Sequence, residues 1–333
     1  MLIVTNYWRS FPKSWTASTG LSGTSVSEVR TLADCMKYRD RQDAMFLISC
    51  DPKLLYQLAA AFSALPGRRR PLLSVDLVLR RPLRTIDHLT CSLKRLLLRR
   101  VDHHILFHKD VSGYEKYYGI PPEQCSFVPF KANLPPVQDP AVSSDGEYVL
   151  CYGRSQRDWD TFFEAMKLVQ YPGVTSILSL PEKFAQRPDL LPNNVRLLED
   201  ENTEEAQVRI LGRAKVVVLP ILKSNIAASG LSIGLNAMAL GKCVIGSEGP
   251  AFTGIFSDEL LLVPAGDPAA LAEMICRAWE DDELRRATAM RAHEYALKAG
   301  GRNELYQRVI DAAAVWYQRQ PIPRGVQTLN EAE

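Results

Sequence analysis

Short apolar runs recur along the chain, and after a polar turn each gives way to apolar residues spaced three and four apart. The first run, residues 2–5, precedes a polar loop carrying Gly20, Gly23 and Thr24, and a helix is expected from about Ser27. Residues 45–49 end at Cys50, Asp51 and Pro52 and lead into a helical pattern at Leu54, Leu55, Leu58, Ala59 and Phe62. Runs at 72–75, 105–107 and 126–129 repeat the strand theme, with a helix expected over 89–100. A strand buried on both faces reads as a continuous apolar run, and its parallel neighbour needs a crossover helix. This alternation therefore predicts an α/β protein built on parallel sheet.

Residues 129–147 contain four prolines and no periodicity, which marks a linker with a boundary near 140. The pattern then restarts with a strand at 148–153 and a helix through Trp159, Phe162, Phe163, Met166 and Val169. Further strands are expected at 176–180, 195–198, 216–219, 243–246 and 260–263, separated by helices near 204–212, 230–240 and 268–279. A last helical pattern runs from Leu305 to Trp316. The organisation is thus a first domain over 1–140, a second over 141–305, and a segment at 306–333 whose helix is expected to cross back to the first domain.

With 333 residues, two domains are the natural expectation at about 150 residues each. Composition excludes a disordered or collagen-like chain, since 46% of residues are hydrophobic and 23% charged. The net charge of +2 gives no bulk argument for nucleic acid, but residues 68–100 carry a local excess of eight positive charges interleaved with Leu93, Leu96 and Leu97. That segment fits an anionic membrane surface or a phosphorylated acceptor, with a solvated basic helix as the plain alternative; no nucleic-acid partner is expected. Seven cysteines are scattered without a Cys-x-x-Cys pair and five histidines without an HExxH, so no metal site is expected and the cysteines read as reduced core residues. The amino terminus has only a four-residue apolar run, so neither a signal peptide nor a spanning helix is expected. The expected location is cytoplasmic, with contact to the inner face of the membrane through 68–100.

Two stretches could carry chemistry. Arg154 and Arg157 follow the strand at 148–153, where the crevice of a doubly wound domain lies, and paired guanidiniums there would suit a diphosphate. An ordinary solvated loop explains them as well. Ser229 and Gly230 open the helix expected at 230–240, whose unsatisfied N–H groups and dipole could receive a phosphate, although capping alone accounts for the glycine.

Residues 148–266 resemble the donor-binding domain of the retaining glycosyltransferase family 4. The motifs are YGRSQRDWDTFFEAM, AKVVVLP, SGLSIGLNAMALGKCVIGSEGP and LLLVPAGDPAALAEMI, and VDHHILFHKDVSGYEKYYGIPPEQCSFVPFKAN resembles the end of that family's acceptor domain. The resemblance implies the GT-B fold, two Rossmann-like domains facing a central cleft, and a nucleotide diphosphate sugar as donor with no metal cofactor. It places Arg154, with Arg157 as a substitute for a nearby lysine, on the donor diphosphate, and Ser229, Gly230 and Leu231 at the start of the diphosphate-binding helix. It places Asn236 where the family has the glutamate that holds the ribose, and Ala228 where it has a glutamate near the transferred sugar. Both signature carboxylates are therefore absent.

The same resemblance brings Gly23 and Thr24 toward the donor phosphates, with a simple turn as the alternative. Asp51 could face an acceptor or sugar hydroxyl, or cap the helix that begins at Pro52, and Lys223 could approach phosphate from the donor loop. The histidines yield no general base. The implied activity is retaining transfer of a sugar to a hydroxyl on a glycan, a lipid-linked molecule or a small molecule. Competing readings are a degenerate binding or assembly subunit and a phosphosugar-handling enzyme of similar architecture.

Overall fold

The computed structural model describes residues 1–6, 25–65, 70–139, 145–199 and 203–320. Its first domain is a parallel sheet in the order β2-β1-β3-β4-β5-β6. The strands are β1 (Leu2–Thr5), β2 (Ser25–Glu28), β3 (Ala44–Ser49), β4 (Leu72–Val75), β5 (His103–Leu106) and β6 (Cys125–Phe127). The helix expected from Ser27 is instead the strand β2, paired in register with β1 from Leu2↔Ser25 to Thr5↔Glu28. Helix α1 (Leu32–Met36) starts only where the Thr31 hydroxyl can accept the Asp34 N–H at 3.2 Å. Helix α2 (Pro52–Ala64) follows β3. Helix α3 (Thr85–Leu98) begins four residues earlier than expected, because the Asp87 carboxylate accepts the Arg84 and Leu83 N–H groups at 2.9 and 3.2 Å and caps that end. Helix α4 (Ser112–Tyr118) follows β5.

The second domain repeats the design in the order β12-β11-β10-β7-β8-β9. Its strands are β7 (Tyr148–Cys151), β8 (Gly173–Ser176), β9 (Val195–Leu198), β10 (Ala214–Leu219), β11 (Cys243–Ser247) and β12 (Leu261–Val263). Strand β8 ends where the sequence reading began it, since the Ser176 hydroxyl accepts the Leu178 N–H at 3.1 Å and closes a turn over the apolar residues that follow. The helices are α5 (Trp159–Lys167), α6 (Glu182–Ala185), α7 (Glu204–Gly212), α8 (Leu231–Ala239), α9 (Pro268–Glu280), α10 (Asp282–Ala299) and α11 (Arg302–Gln318).

One apolar cluster joins the two sheets: Ile3, Met45 and Leu47 of the first domain share it with Leu150, Val217 and Leu235 of the second and with Leu305, Val309 and Ile310 of α11. Helix α11 also stacks the Trp316 ring on His103 of β5, with centroids 5.8 Å apart. On the opposite flank, Ile226 from the loop after β10 enters the first-domain core beside Tyr114, and it stands 2.6 Å from where a Cβ on Gly113 would be. Burying an isoleucine contributes about 1.5–3 kcal/mol. These contacts turn the carboxyl-terminal edges of both sheets toward a shared cleft. This is the GT-B architecture, two Rossmann-like α/β domains. Among the described residues, no helix is long and apolar enough to cross a membrane.

Candidate functional site

In doubly wound sheets the ligand crevice lies outside the strand ends where strand order reverses. In the second domain that point falls between β7 and β10. The loop after β7 turns at Gly153 (φ 95°) and Gln156 (φ 55°) and is stitched to the loop after β10. Asp158 N–H donates to the Pro220 carbonyl and Leu222 N–H to the Gln156 carbonyl, both at 2.9 Å.

Arg157 lies beneath that seam and is only 5% exposed. Its Nε donates to the Tyr152 carbonyl at 2.8 Å, whereas Nη1 is buried without a hydrogen-bond partner. Nη1 stands 2.9 Å from where a Cβ on Gly230 would be, and Nη2 stands 2.9 Å from the corresponding point on Gly153. Two glycines thus make the slot that the guanidinium occupies. Gly230 (φ 89°) is also the N-cap of α8 and has no side chain to satisfy the first-turn N–H groups. Among the described residues no carboxylate pairs with Arg157, and burial lowers its pKa from 12.5 to about 10. A buried cation is costly unless an anion meets it. The guanidinium and the uncapped helix start thus lie side by side, and both are groups that stabilise an anion.

The other residues expected on the donor side lie in the loops after β7 and β10 and in α8. Arg154 is exposed, its Nε donating to the Leu178 carbonyl. Ser229 is buried with its hydroxyl toward Asn225 Oδ1 at 3.3 Å, and Leu231 packs into the shared core. Lys223 is exposed and lines a neighbouring cleft of about 320 Å³ with Asn225, Ser247 and Glu248. Asn236, expected at the ribose, is committed elsewhere: its Oδ1 accepts the linker N–H groups of Asn133 and Leu134 at 2.7 and 3.3 Å. The linker lies against that face of α8, and Asn133 Nδ2 also donates to Ser232 Oγ at 2.8 Å. Gly23 and Thr24 lie outside the described residues.

On the first-domain side Asp51 is the N-cap of α2, its Oδ1 accepting Leu54 N–H at 3.0 Å. Of its two expected roles the structure assigns capping, because Pro52 fixes the helix start and turns the carboxylate back onto the first turn. The strand ends instead present Cys50 after β3 and Asp76 after β4. Both are in the left-handed region (φ 52° and 50°), with Cys50 Sγ 3.5 Å from Asp76 Oδ2. Such a backbone costs about 1–3 kcal/mol per residue and gathers at functional sites. Burial raises the Asp76 pKa from 3.8 to about 6. After β5, His108 is 2% exposed, with neither ring nitrogen hydrogen-bonded and its ring centroid 5.0 Å from that of Tyr114 in an edge-to-face arrangement. Burial depresses its pKa to about 4, against the opposing pull of Asp110. His103 and His104, by contrast, bond Ser126 and Ser74 at 2.7 Å inside the sheet. Asp76 and His108 occupy the position, just past a strand, that singled out Arg154; the same rule would have found them in the first half of the chain.

Two cations of the basic segment also have internal work. Arg70 donates to the Arg39 and Asp40 carbonyls, and buried Arg100 pairs with Asp102 at 3.2 Å. Arg68 and Arg69 lie outside the described residues. Among the described residues no group of three or more His, Cys, Asp or Glu could hold a metal ion.

Residues 146–281 match the family described as "Glycosyl transferases group 1". Sucrose-phosphate synthase from Thermosynechococcus elongatus superposes with a TM-score of 0.66 at 15% identity, covering 96% of this chain and 89% of that one. Anabaena Alr3699/HepE, solved in complex with UDP, gives 0.61 at 16% identity over 88% and 86%. An α,α-trehalose 6-phosphate synthase from Burkholderia multivorans gives 0.59 at 14% over 87% and 76%. At these identities the likeness is one of fold. No curated protein sequence gives a match.

Proposed function

We propose that the protein is a glycosyltransferase that moves a sugar from a nucleoside diphosphate sugar to an acceptor hydroxyl, with retention at the sugar carbon and no metal ion. The observation that carries this reading is the buried, unpartnered Nη1 of Arg157 beside the uncapped start of α8. The match of residues 146–281 to a glycosyltransferase family and the likeness to UDP-bound Alr3699/HepE support the choice of anion.

In the reaction the bond from the sugar carbon to the diphosphate oxygen breaks, and negative charge collects on the leaving group. Arg157 and the first N–H groups of α8 are fixed in advance at low solvent exposure, so they stabilise that charge without reorganising. Arg154 adds a second cation, with Gly230, Leu231 and Ser229 shaping the phosphate end and Lys223 bordering the nucleoside cleft. The acceptor oxygen forms the new bond on the face the diphosphate leaves, and its proton passes to a leaving phosphate oxygen. Asp76 supplies, from across the cleft, the carboxylate for a sugar hydroxyl that Ala228 and Asn236 do not provide. The acceptor is a glycan, lipid-linked or small molecule, and the location is the cytoplasm.

Calorimetry with UDP, GDP and ADP in turn, followed by product analysis with the matching nucleotide sugars, tests this reading. Binding of one nucleotide with release of diphosphate to an acceptor is expected. Failure of all three to bind would overturn it. Binding without turnover over a broad acceptor panel would favour an assembly subunit, the reading to which the lost carboxylates at 228 and 236 lend weight.

A further inference from the structure

Helix α3 buries Cys91 and Leu98 against the first-domain core and keeps Asp87 and Lys94 at that boundary. At about 100° per residue these four positions define its inner face. The larger apolar residues point the other way: Ile86, Leu89, Leu93 and Leu96 are 60%, 65%, 62% and 61% exposed, and Leu83 just before the helix is 68% exposed. They form a continuous outward stripe at the spacing three, four, three. His88, Arg95 and Arg99 follow along one flank of the stripe, and Arg80, Arg81 and Arg84 cluster at its amino-terminal end, all exposed. Asp87, the one acid of the helix, is held on the Arg84 and Leu83 N–H groups.

Single exposed leucines are common, but an ordered stripe opposite a helix's core face, bordered by cations, implies a covering surface. We infer that the outer face of α3, with the loop 77–84 before it, rests on an anionic lipid bilayer. Charge complementarity selects that occupant, since arginines beside a leucine stripe match headgroup phosphates above acyl chains. Because β4 runs toward the cleft, the loop 77–84 and the start of α3 lie on the cleft rim, so the membrane plane would adjoin its mouth. Docking stands independently of the transfer reading. If that reading also holds, a lipid-borne hydroxyl is the acceptor this arrangement favours.

The full chain should co-float with phosphatidylcholine vesicles containing about a third phosphatidylglycerol and not with phosphatidylcholine alone, with loss of binding as salt rises. The double variant Leu89→Asp/Leu93→Asp should bind at least about tenfold more weakly. Arg80→Gln and Arg99→Gln should each cost roughly fivefold. Thermal midpoints of all these variants should stay near the parent value, because the altered side chains lie outside the core. Absence of co-flotation at low salt, or binding unchanged in the leucine variant, would overturn the inference. A dimer by light scattering that Leu89→Asp/Leu93→Asp dissolves, without vesicle binding, would assign the stripe to a second copy instead.

Discussion

Replacing Arg157 by methionine separates a binding role from a structural one, because the two predict opposite changes in stability. The fall in its pKa from 12.5 to about 10 corresponds to roughly 3 kcal/mol of cost for holding the charge in the empty protein. For a base with a depressed pKa that cost is fully present at pH 7, where both folded and unfolded chains are protonated, and it fades only as pH rises through about 10. Methionine fills much of the slot between Gly153 and Gly230 without charge. It forfeits the bond to the Tyr152 carbonyl, a loss of about 1–2 kcal/mol. The net expectation is a ligand-free protein as stable as the parent or about 1–2 kcal/mol more stable. Binding should move the other way, since removing one partner of a buried charge-assisted pair costs about 2–5 kcal/mol, or at least about thirtyfold in affinity. Scanning fluorimetry without ligand and calorimetry with the nucleoside diphosphate that the parent binds measure the two quantities on one sample. A lower melting point with unchanged affinity would refute the reasoning and make Arg157 a structural brace of the loop.

Three further outcomes follow from the same geometry. Asp76→Asn should abolish most turnover and remove an acid limb near pH 6 from the rate profile, since the working carboxylate forms only above the raised pKa; the variant should also gain stability at pH 7, a gain that disappears below about pH 4 where the parent carboxyl is protonated in both states. An unchanged profile would take Asp76 out of the cleft chemistry. Gly230→Ala places a Cβ 2.9 Å from Arg157 Nη1 at a φ of 89°, so it should lower stability by about 1–3 kcal/mol and weaken nucleotide binding, while Gly212→Ala, with nothing within 4 Å, should be neutral or better in both assays. Asn236→Ala strands two linker N–H groups and should cost about 1–3 kcal/mol of stability in a denaturant titration, with less than a fivefold change in nucleotide affinity; a larger affinity loss would return the ribose to this side chain.

The sequence by itself determined the alternation of strand and helix, the two-domain α/β class and the helix start at Gly230, because these rest on local signals. A buried parallel strand needs an unbroken apolar run, and Gly230 in front of an apolar helical pattern marks a helix start that can take an anion. Local signals also misled: the periodicity of residues 176–180 predicted a strand where Ser176 closes a turn, and Ser25–Glu28 became a strand because β1 lay beside it. Tertiary structure alone decided which polar groups were already spent. Asp51 and Asn236 are chemically fit for sugar hydroxyls, yet one caps α2 and the other ties the linker to α8, since a buried acceptor takes the nearest N–H that packing offers. The same packing left Arg157 Nη1 without a partner, bent Cys50 and Asp76 into left-handed backbone at the cleft, and turned the leucines of α3 outward. Whether a side chain is satisfied depends on atoms distant in the chain, and for this protein that dependence separates the residues that can still bind a ligand from those that hold the fold.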